Sequence, residues 1–460
     1  MKYDFEACRV TDPTTQQNYY LIRDAECVTA VQPNIEPELI ARFRQVGAKA
    51  HSAMDLINTY YEEWMPSLGI EGRPDLFGAI LLTYCSVTEI PWQGGVIKGW
   101  LDTMCIGDTR TGKSQMAQRF VKVLGMGGYI NGENARRTGV IGGVQRFGDS
   151  WVVSWGAIPM NDRGLLMIDE ASGLEVEDIK DLSSTRSSGA VTLNKIVKGE
   201  ARARTRLLWF SNPRNGRNLS DFYWKGFGAF QEFIPVMEDQ ARFDLVISAA
   251  REDVDVLGDF DYDTPVQVGP WRALFSLAWS IEADDIKITS EAKAEVRACA
   301  KDLNAKLGGG SLIVGVAVHE KLLRLACAFA IASGSYDPVT GWLQVDARYV
   351  RWAEEFLEVT LNKPSMAYGD YIREFKRAQA KRADNMQFIR TLIAVNPAIK
   401  ALLTASSFKG FQFQEILGMS KDESSKIMSD LITRGLLRPG PSASYIPDKL
   451  LMEVAKQMDL

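Results

Sequence analysis

Apolar residues recur at helical spacing from residue 36 to about 64, opening after Pro33-Asn34, and the pattern predicts one amphipathic helix ending at Pro66. Ahead of it, residues 1 to about 35 mix short β-like runs, such as Asn18-Tyr19-Tyr20-Leu21-Ile22, with turn residues. Beyond Pro66 the period changes. As far as about residue 248, short apolar runs alternate with helical stretches. The runs 100–106, 164–170 and 205–213 read as buried strands, and 115–124 as a helix without Gly or Pro. Such alternation predicts a parallel α/β sheet. From Thr264-Pro265 to roughly residue 357 the pattern is mainly helical, chiefly over Ser290–Leu307 and 318–333, with the turn Leu307-Gly308-Gly309-Gly310-Ser311 between them. A linker near Lys363-Pro364-Ser365 leads into a long charged helix over 370–382. The remainder reads as a small module of three helices (388–403, 410–418 and 420–433) and a β-wing over 434–446. Its third helix opens on the capping box Ser420-Lys421-Asp422-Glu423. The expected divisions are 1–65, an α/β core over 66–260, a helical part over 261–365, a linker helix over 366–384 and the module 385–460.

One stretch carries most of the chemistry. Gly107-Asp108-Thr109-Arg110-Thr111-Gly112-Lys113-Ser114 matches the phosphate-binding pattern GxxxxGK[ST] in full, between a predicted strand and a predicted helix that begins at Gln115. Glycines let backbone N–H groups turn inward around a phosphate, and the helix N-terminus adds partial positive charge. Lys113 then reaches the β- and γ-phosphates of ATP, and the Ser114 hydroxyl ligates Mg²⁺. Downstream, Gly164-Leu165-Leu166-Met167-Ile168-Asp169-Glu170 is an apolar strand closing on two carboxylates. Asp169 suits the Mg²⁺ shell, and Glu170 suits polarisation of the attacking water. A third strand ends at Ser211-Asn212-Pro213, where Asn212 is placed to orient that water or sense the γ-phosphate. Arg242, in Gln240-Ala241-Arg242-Phe243-Asp244, is a candidate for stabilising a neighbour's γ-phosphate.

Composition narrows the setting without changing that picture. The chain of 460 residues is 46% hydrophobic and 24% charged, ordinary for a globular protein, with room for two or three domains. A net charge of −5 argues against a generally basic nucleic-acid binder, although a ring can keep its basic residues in a central pore. Six cysteines without a CxxC pair read as reduced thiols, and the two histidines leave little to build a zinc site from. No run reaches the length of a membrane span, and Met1-Lys2-Tyr3-Asp4-Phe5-Glu6 lacks a signal-peptide core. The expected location is therefore the cytoplasm, with no membrane partner.

Taken together and in order, these residues resemble the AAA+ motor of the minichromosome-maintenance (MCM) helicases, in a compact form such as phages and mobile elements carry. The resemblance begins at Pro66-Ser67-Leu68-Gly69-Ile70 and takes in Ala79-Ile80-Leu81-Leu82-Thr83 and the phosphate loop through Gln115. It continues through Gly132-Glu133-Asn134-Ala135-Arg136-Arg137-Thr138-Gly139-Val140 and Trp155-Gly156-Ala157-Ile158-Pro159-Met160-Asn161-Asp162-Arg163-Gly164. It closes on Ala203-Arg204-Thr205, Ser211-Asn212-Pro213 and Ala241-Arg242-Phe243-Asp244. The likeness implies an AAA+ P-loop core with a helix-2 insertion and a helical lid. Within it, Lys113 and Ser114 look like Walker A, Asp169 and Glu170 like Walker B, Asn212 like the first sensor and Arg242 like a trans-acting arginine finger.

It also implies two pore hairpins. One falls within 140–155, with Gln145-Arg146-Phe147 near its tip; the other spans about 190–203, with Lys195 or Lys198 as its DNA-contacting lysine. The implied activity is that of a homo-hexameric ATP-driven DNA translocase or helicase. It would use Mg²⁺, hold single-stranded DNA in its pore, and act with replication partner proteins in copying a phage or mobile element. Two other readings keep the ATPase: a protein remodeller of the MoxR or magnesium-chelatase kind, and an ATP-switched DNA-binding ring without unwinding. The chain also departs from the family. Its lid stretch has no Arg where the second sensor belongs, leaving His319, Lys321 or Arg324, and residues 1–65 do not fit the familiar OB fold and zinc-binding subdomain. The C-terminal module resembles a winged helix. Its third helix sets two lysines against three acids between Ser420 and Asp430, which suits docking or regulation better than groove readout.

Overall fold

The computed structural model describes residues 2–11, 18–28, 37–148, 150–194, 196–253 and 265–458. Lys195 and the turn at Pro33-Asn34 lie outside the described residues. The chain divides into two compact units, Met1–Tyr371 and Ile372–Leu460.

In the first unit, Lys2–Thr11 and Asn18–Val28 pair as an antiparallel ribbon. The single helix predicted over 36–64 is instead two, α1 (Pro37–Lys49) and α2 (Ala53–Leu68). Ser52 causes the break. Its extended backbone and side-chain oxygen, which accepts from the Asp55 N–H at 3.0 Å, cap a new helix where the apolar period alone suggests continuity. Pro66 sits inside the last turn of α2, and the left-handed Gly69 ends it. Helix α3 (Pro74–Cys85) follows and is buried along nearly its whole length. Trp64 stacks on Phe120 with ring centroids 4.1 Å apart, and Tyr60 donates to the Ala332 carbonyl at 2.7 Å.

The central sheet consists of β1 (Asp102–Gly107), β2 (Gly128–Asn131), β3 (Leu165–Asp169), β4 (Arg206–Ser211) and β5 (Leu245–Ala249). Its order is β5-β1-β4-β3-β2 and every pairing is parallel, as the alternation of runs predicts. Strands β1, β3, β4 and β5 are buried throughout because helices cover both faces, hence their continuous apolar runs. This is an α/β AAA+ P-loop core. Helix α4 (Lys113–Leu124) follows β1, and α5 (Val176–Ser188) follows β3. Two antiparallel hairpins leave the sheet at the expected places: Gly142–Phe147 with Ser150–Trp155, and Ala190–Asn194 with Lys198–Arg202.

The lid contains α6 (Val268–Ser280), α7 (Ser290–Leu307), α8 (Val318–Ala332) and α9 (Ala347–Leu361). Helices α7 and α8 fall where the sequence pattern puts them. After α9 the prediction needs correction. Helix α10 (Tyr368–Val395) runs on where two helices, 370–382 and 388–403, are expected. It stops at Asn396-Pro397, where proline disfavours helical backbone in the residue before it. A short helix then covers Lys400–Leu403. Helix α11 (Gly410–Leu417) and α12 (Lys421–Thr433) follow, with the Ser420–Glu423 capping box formed. A three-stranded antiparallel sheet joins Phe408–Lys409, Ser444–Pro447 and Leu437–Pro439. A further helix, α13 (Lys449–Gln457), capped by Asp448, goes beyond the expected elements. Ile389, Ile393, Leu403, Phe413, Leu431 and Leu451 belong to the second unit's own core.

Candidate ATP site

The phosphate loop grows directly out of β1. A Cβ on Gly107 would lie 2.2 Å from the Ala249 carbonyl oxygen, so only glycine lets the loop leave the sheet beside β5. Gly112 (φ 74°) and Arg110 (φ 65°) adopt left-handed backbone and fold the loop over, while Asp108 pins its base. The Asp108 carboxylate accepts from the Leu219 N–H at 2.7 Å and the Arg251 N–H at 3.2 Å, and Thr111 donates to the Asp108 carbonyl at 3.0 Å. Thr109 lines the mouth of the adjoining cleft.

Lys113 begins α4 and is almost fully buried, its ammonium donating to the Asp108 carbonyl (2.9 Å) and to Asn212 Oδ1. Burial lowers its pKa, and the nearby Glu170 and Asp169 carboxylates oppose that shift. The next residue, Ser114, donates through Oγ to Asp169 Oδ1 at 2.6 Å. Gln118, one helical turn further along the same face, donates to Asp169 Oδ2 at 2.8 Å, and the Tyr129 hydroxyl reaches that oxygen at 3.4 Å. Sequence reasoning passes over Gln118 and Tyr129. The four-residue spacing from Ser114 is the signal that could reveal Gln118; Tyr129 depends on the pairing of β2 with β3. The hydroxyl of Ser114 and the carboxylate of Asp169, oxygen donors side by side below the loop, fit a hard divalent cation such as Mg²⁺.

Glu170 follows β3 in left-handed backbone (φ 46°, ψ 46°), uncommon for a residue with a side chain. Its carboxylate accepts from Asn212 Nδ2 at 3.0 Å. Burial first, and the Asp169 charge second, raise its pKa. Asn212 thus bridges the Lys113 ammonium and the Glu170 carboxylate, uniting three of the predicted residues. Glu170 and Asn212 border a cleft of about 380 Å³ that is also lined by Thr109, Glu133, Arg214 and Arg217. Arg214 spans from the end of β4 to the loop after β3, donating to the Ser172 carbonyl (3.0 Å) and the Leu174 carbonyl (3.1 Å).

Arg242 is not brought to this cleft. It precedes β5, whose Leu245 pairs with Thr103 and whose Ala249 pairs with Gly107. The length of β5, about 16 Å at ~3.3 Å per residue, therefore separates it from the phosphate loop of its own chain. The side chain lies 3.5 Å from Asp239. Two of the second-sensor candidates sit at the same edge. Lys321 is buried against the carbonyls of Phe243 and Ile313, and Arg324 Nε donates to Asp244 Oδ1 at 2.7 Å. Neither faces the phosphate loop of its own chain. His319 is near the surface, its Nδ1 3.1 Å from the Val316 carbonyl.

Arg146 and Lys198 are exposed on the two hairpins, and Arg146 Nε donates to the Gly148 carbonyl at 3.1 Å. The hairpins touch each other. A Cβ on Gly199 would lie 3.0 Å from the Val153 side chain and 3.2 Å from the Trp155 ring, so the glycine allows the two ribbons to pack closely.

Comparison with known proteins agrees with this architecture. Residues 46–249 match the family model of the MCM P-loop domain. Over 207 residues the chain is 26% identical to "DNA replication licensing factor MCM3" of Entamoeba histolytica, a match covering 44% of this chain and 34% of that protein. It is 26% identical over 195 residues to "DNA replication licensing factor mcm2" of Xenopus tropicalis, covering 41% of this chain and 21% of the relative. It is 24% identical over 206 residues to "Probable DNA helicase MCM9" of Oryza sativa subsp. indica, covering 40% and 31% respectively. The chain thus spans at most about a third of the length of these curated relatives. Among the described residues, no helix is long and apolar enough to cross a membrane.

Proposed function

Residues 46–249 are an MCM-type P-loop domain, and from that premise we propose that the chain is an ATPase that moves along or unwinds DNA as a homo-hexameric ring, in the replication of a phage or mobile element. The observation that carries the reading is the split of the catalytic set. Lys113, Ser114, Asp169, Glu170 and Asn212 converge at one edge of the sheet, while Arg242 stands at the other. A site completed by the arginine of an adjacent subunit uses both edges, and a ring satisfies every subunit at once.

Lys113 and the loop N–H groups hold the β- and γ-phosphates of ATP. Ser114 and Asp169 would hold Mg²⁺, which neutralises phosphate charge when bound. Glu170 accepts a proton from water as its oxygen attacks the γ-phosphorus; the bond to the β-phosphate oxygen breaks, and ADP and phosphate leave. Asn212 fixes the Glu170 carboxylate, and Arg242 of the adjacent subunit stabilises charge on the transferring group. The hairpins supply cations to the phosphates of a single strand in the pore, Arg146 from one and Lys198, or Lys195 in its place, from the other.

The test is ATPase rate with and without single-stranded DNA. The expected result is stimulation by DNA, with Lys198→Ala lowering the ratio of stimulated to basal rate. No stimulation by any nucleic acid would overturn the DNA-motor reading. A protein remodeller is the second reading, favoured by apolar exposure on the hairpins (Trp151 42%, Val152 43%, Ile196 71%). Stimulation by an unfolded protein in place of DNA would support it.

A further inference from the structure

Arg242 lies in no regular element. It occupies a turn between the short helix Met237–Gln240 and β5, so its anchored downstream neighbours, Phe243 and Asp244, set its position. Phe243 is fully buried, with the Arg186 guanidinium 4.1 Å from its ring centroid and the Trp209 and Phe230 rings edge-on at 5.9 and 5.5 Å. Its carbonyl accepts from the Lys321 ammonium, which also donates to the Ile313 carbonyl at 2.8 Å. The next residue, Asp244, is held by Arg324 Nε at 2.7 Å, while its other oxygen accepts from the Asp102 N–H at 2.9 Å. Lys321 and Arg324 are three apart on α8, so one face of one lid helix grips two consecutive residues just after Arg242.

Retaining an ammonium here is unfavourable on packing grounds. Lys321 is 3% exposed, and an apolar side chain of similar volume would avoid the desolvation penalty. What the ammonium supplies is direction, a fixed donor to a particular carbonyl. We propose that Lys321 is a positioning residue that ties the Phe243 carbonyl, and through it Arg242, to the lid of the same subunit. The arginine offered to the adjacent ATP site is then placed by the lid behind it. This rests on the trans role proposed above for Arg242.

Mixed subunits test the two claims separately. Lys113→Ala subunits, which keep their arginine, combined with Arg242→Ala subunits, which keep their phosphate loop, should recover ATPase activity. Lys321→Met is then placed on one partner at a time. On the Lys113→Ala partner, which donates the arginine, it should lower the recovered rate at least tenfold. On the Arg242→Ala partner it should leave the recovered rate unchanged, with unaltered binding of a fluorescent ATP analogue. Equal effects in the two placements would overturn the positioning role, because a general folding defect does not distinguish donor from acceptor. If Lys321→Met is insoluble, Lys321→Gln placed the same way should show the same asymmetry, and its lack would likewise overturn the proposal. No recovery in the parental mixture would overturn the trans reading, and this inference with it.

Discussion

Glu170 combines a left-handed backbone, a hydrogen bond from Asn212 and a pKa raised by burial and by Asp169. The role proposed for it requires the ionised form, since only a carboxylate can take the proton from water. The raised pKa therefore places the acid limb of the pH–rate profile above the ordinary glutamate range, with kcat/KM falling as the pH drops through it. Glu170→Gln should still bind ATP, lose about 100-fold or more in kcat, and abolish that limb. A parental rate in Glu170→Gln would remove Glu170 from the mechanism. At this scale the phosphate loop and the Asp169-Glu170 pair are legible in sequence because each is a local backbone motif with fixed spacing. Gln118 and Tyr129 reach Asp169 only after α4 and β2 have packed beside β3, which the sequence pattern does not register.

Among the elements, the two hairpins fall where the MCM resemblance places them, but their mutual contact depends on a glycine whose role appears only in three dimensions. A valine at 199 would press its Cβ against Val153 and Trp155 and force the ribbons apart. Gly199→Val should lower the ratio of DNA-stimulated to basal ATPase, as Lys198→Ala does; an unchanged ratio would show that the hairpins act independently. Helix ends are where sequence reading fails most. The apolar period runs through Ser52, yet a side-chain cap divides α1 from α2, whereas α10 continues where charge composition suggests two helices. The break turns on the hydrogen bond of the Ser52 cap, which is invisible to periodicity. Beyond the wing expected over 434–446 the sequence reading places no element, and α13 follows there on a single capping aspartate, Asp448.

For the whole molecule, the parallel sheet and the order of its motifs follow from the alternation of runs. The separation of Arg242 from Lys113 needs the strand order β5-β1, which the sequence leaves open. With Arg242 in the role proposed for it, that separation leaves the site incomplete within one chain. The most direct measurement is ATPase rate per subunit across a dilution series, with particle mass measured at each concentration. A composite site predicts a rate per subunit that rises as rings assemble and falls toward zero where only single chains remain, by a factor of about 1,000 if the arginine contributes as trans-acting arginines do. A rate per subunit that stays constant down to the monomer would contradict the composite site and the ring built upon it.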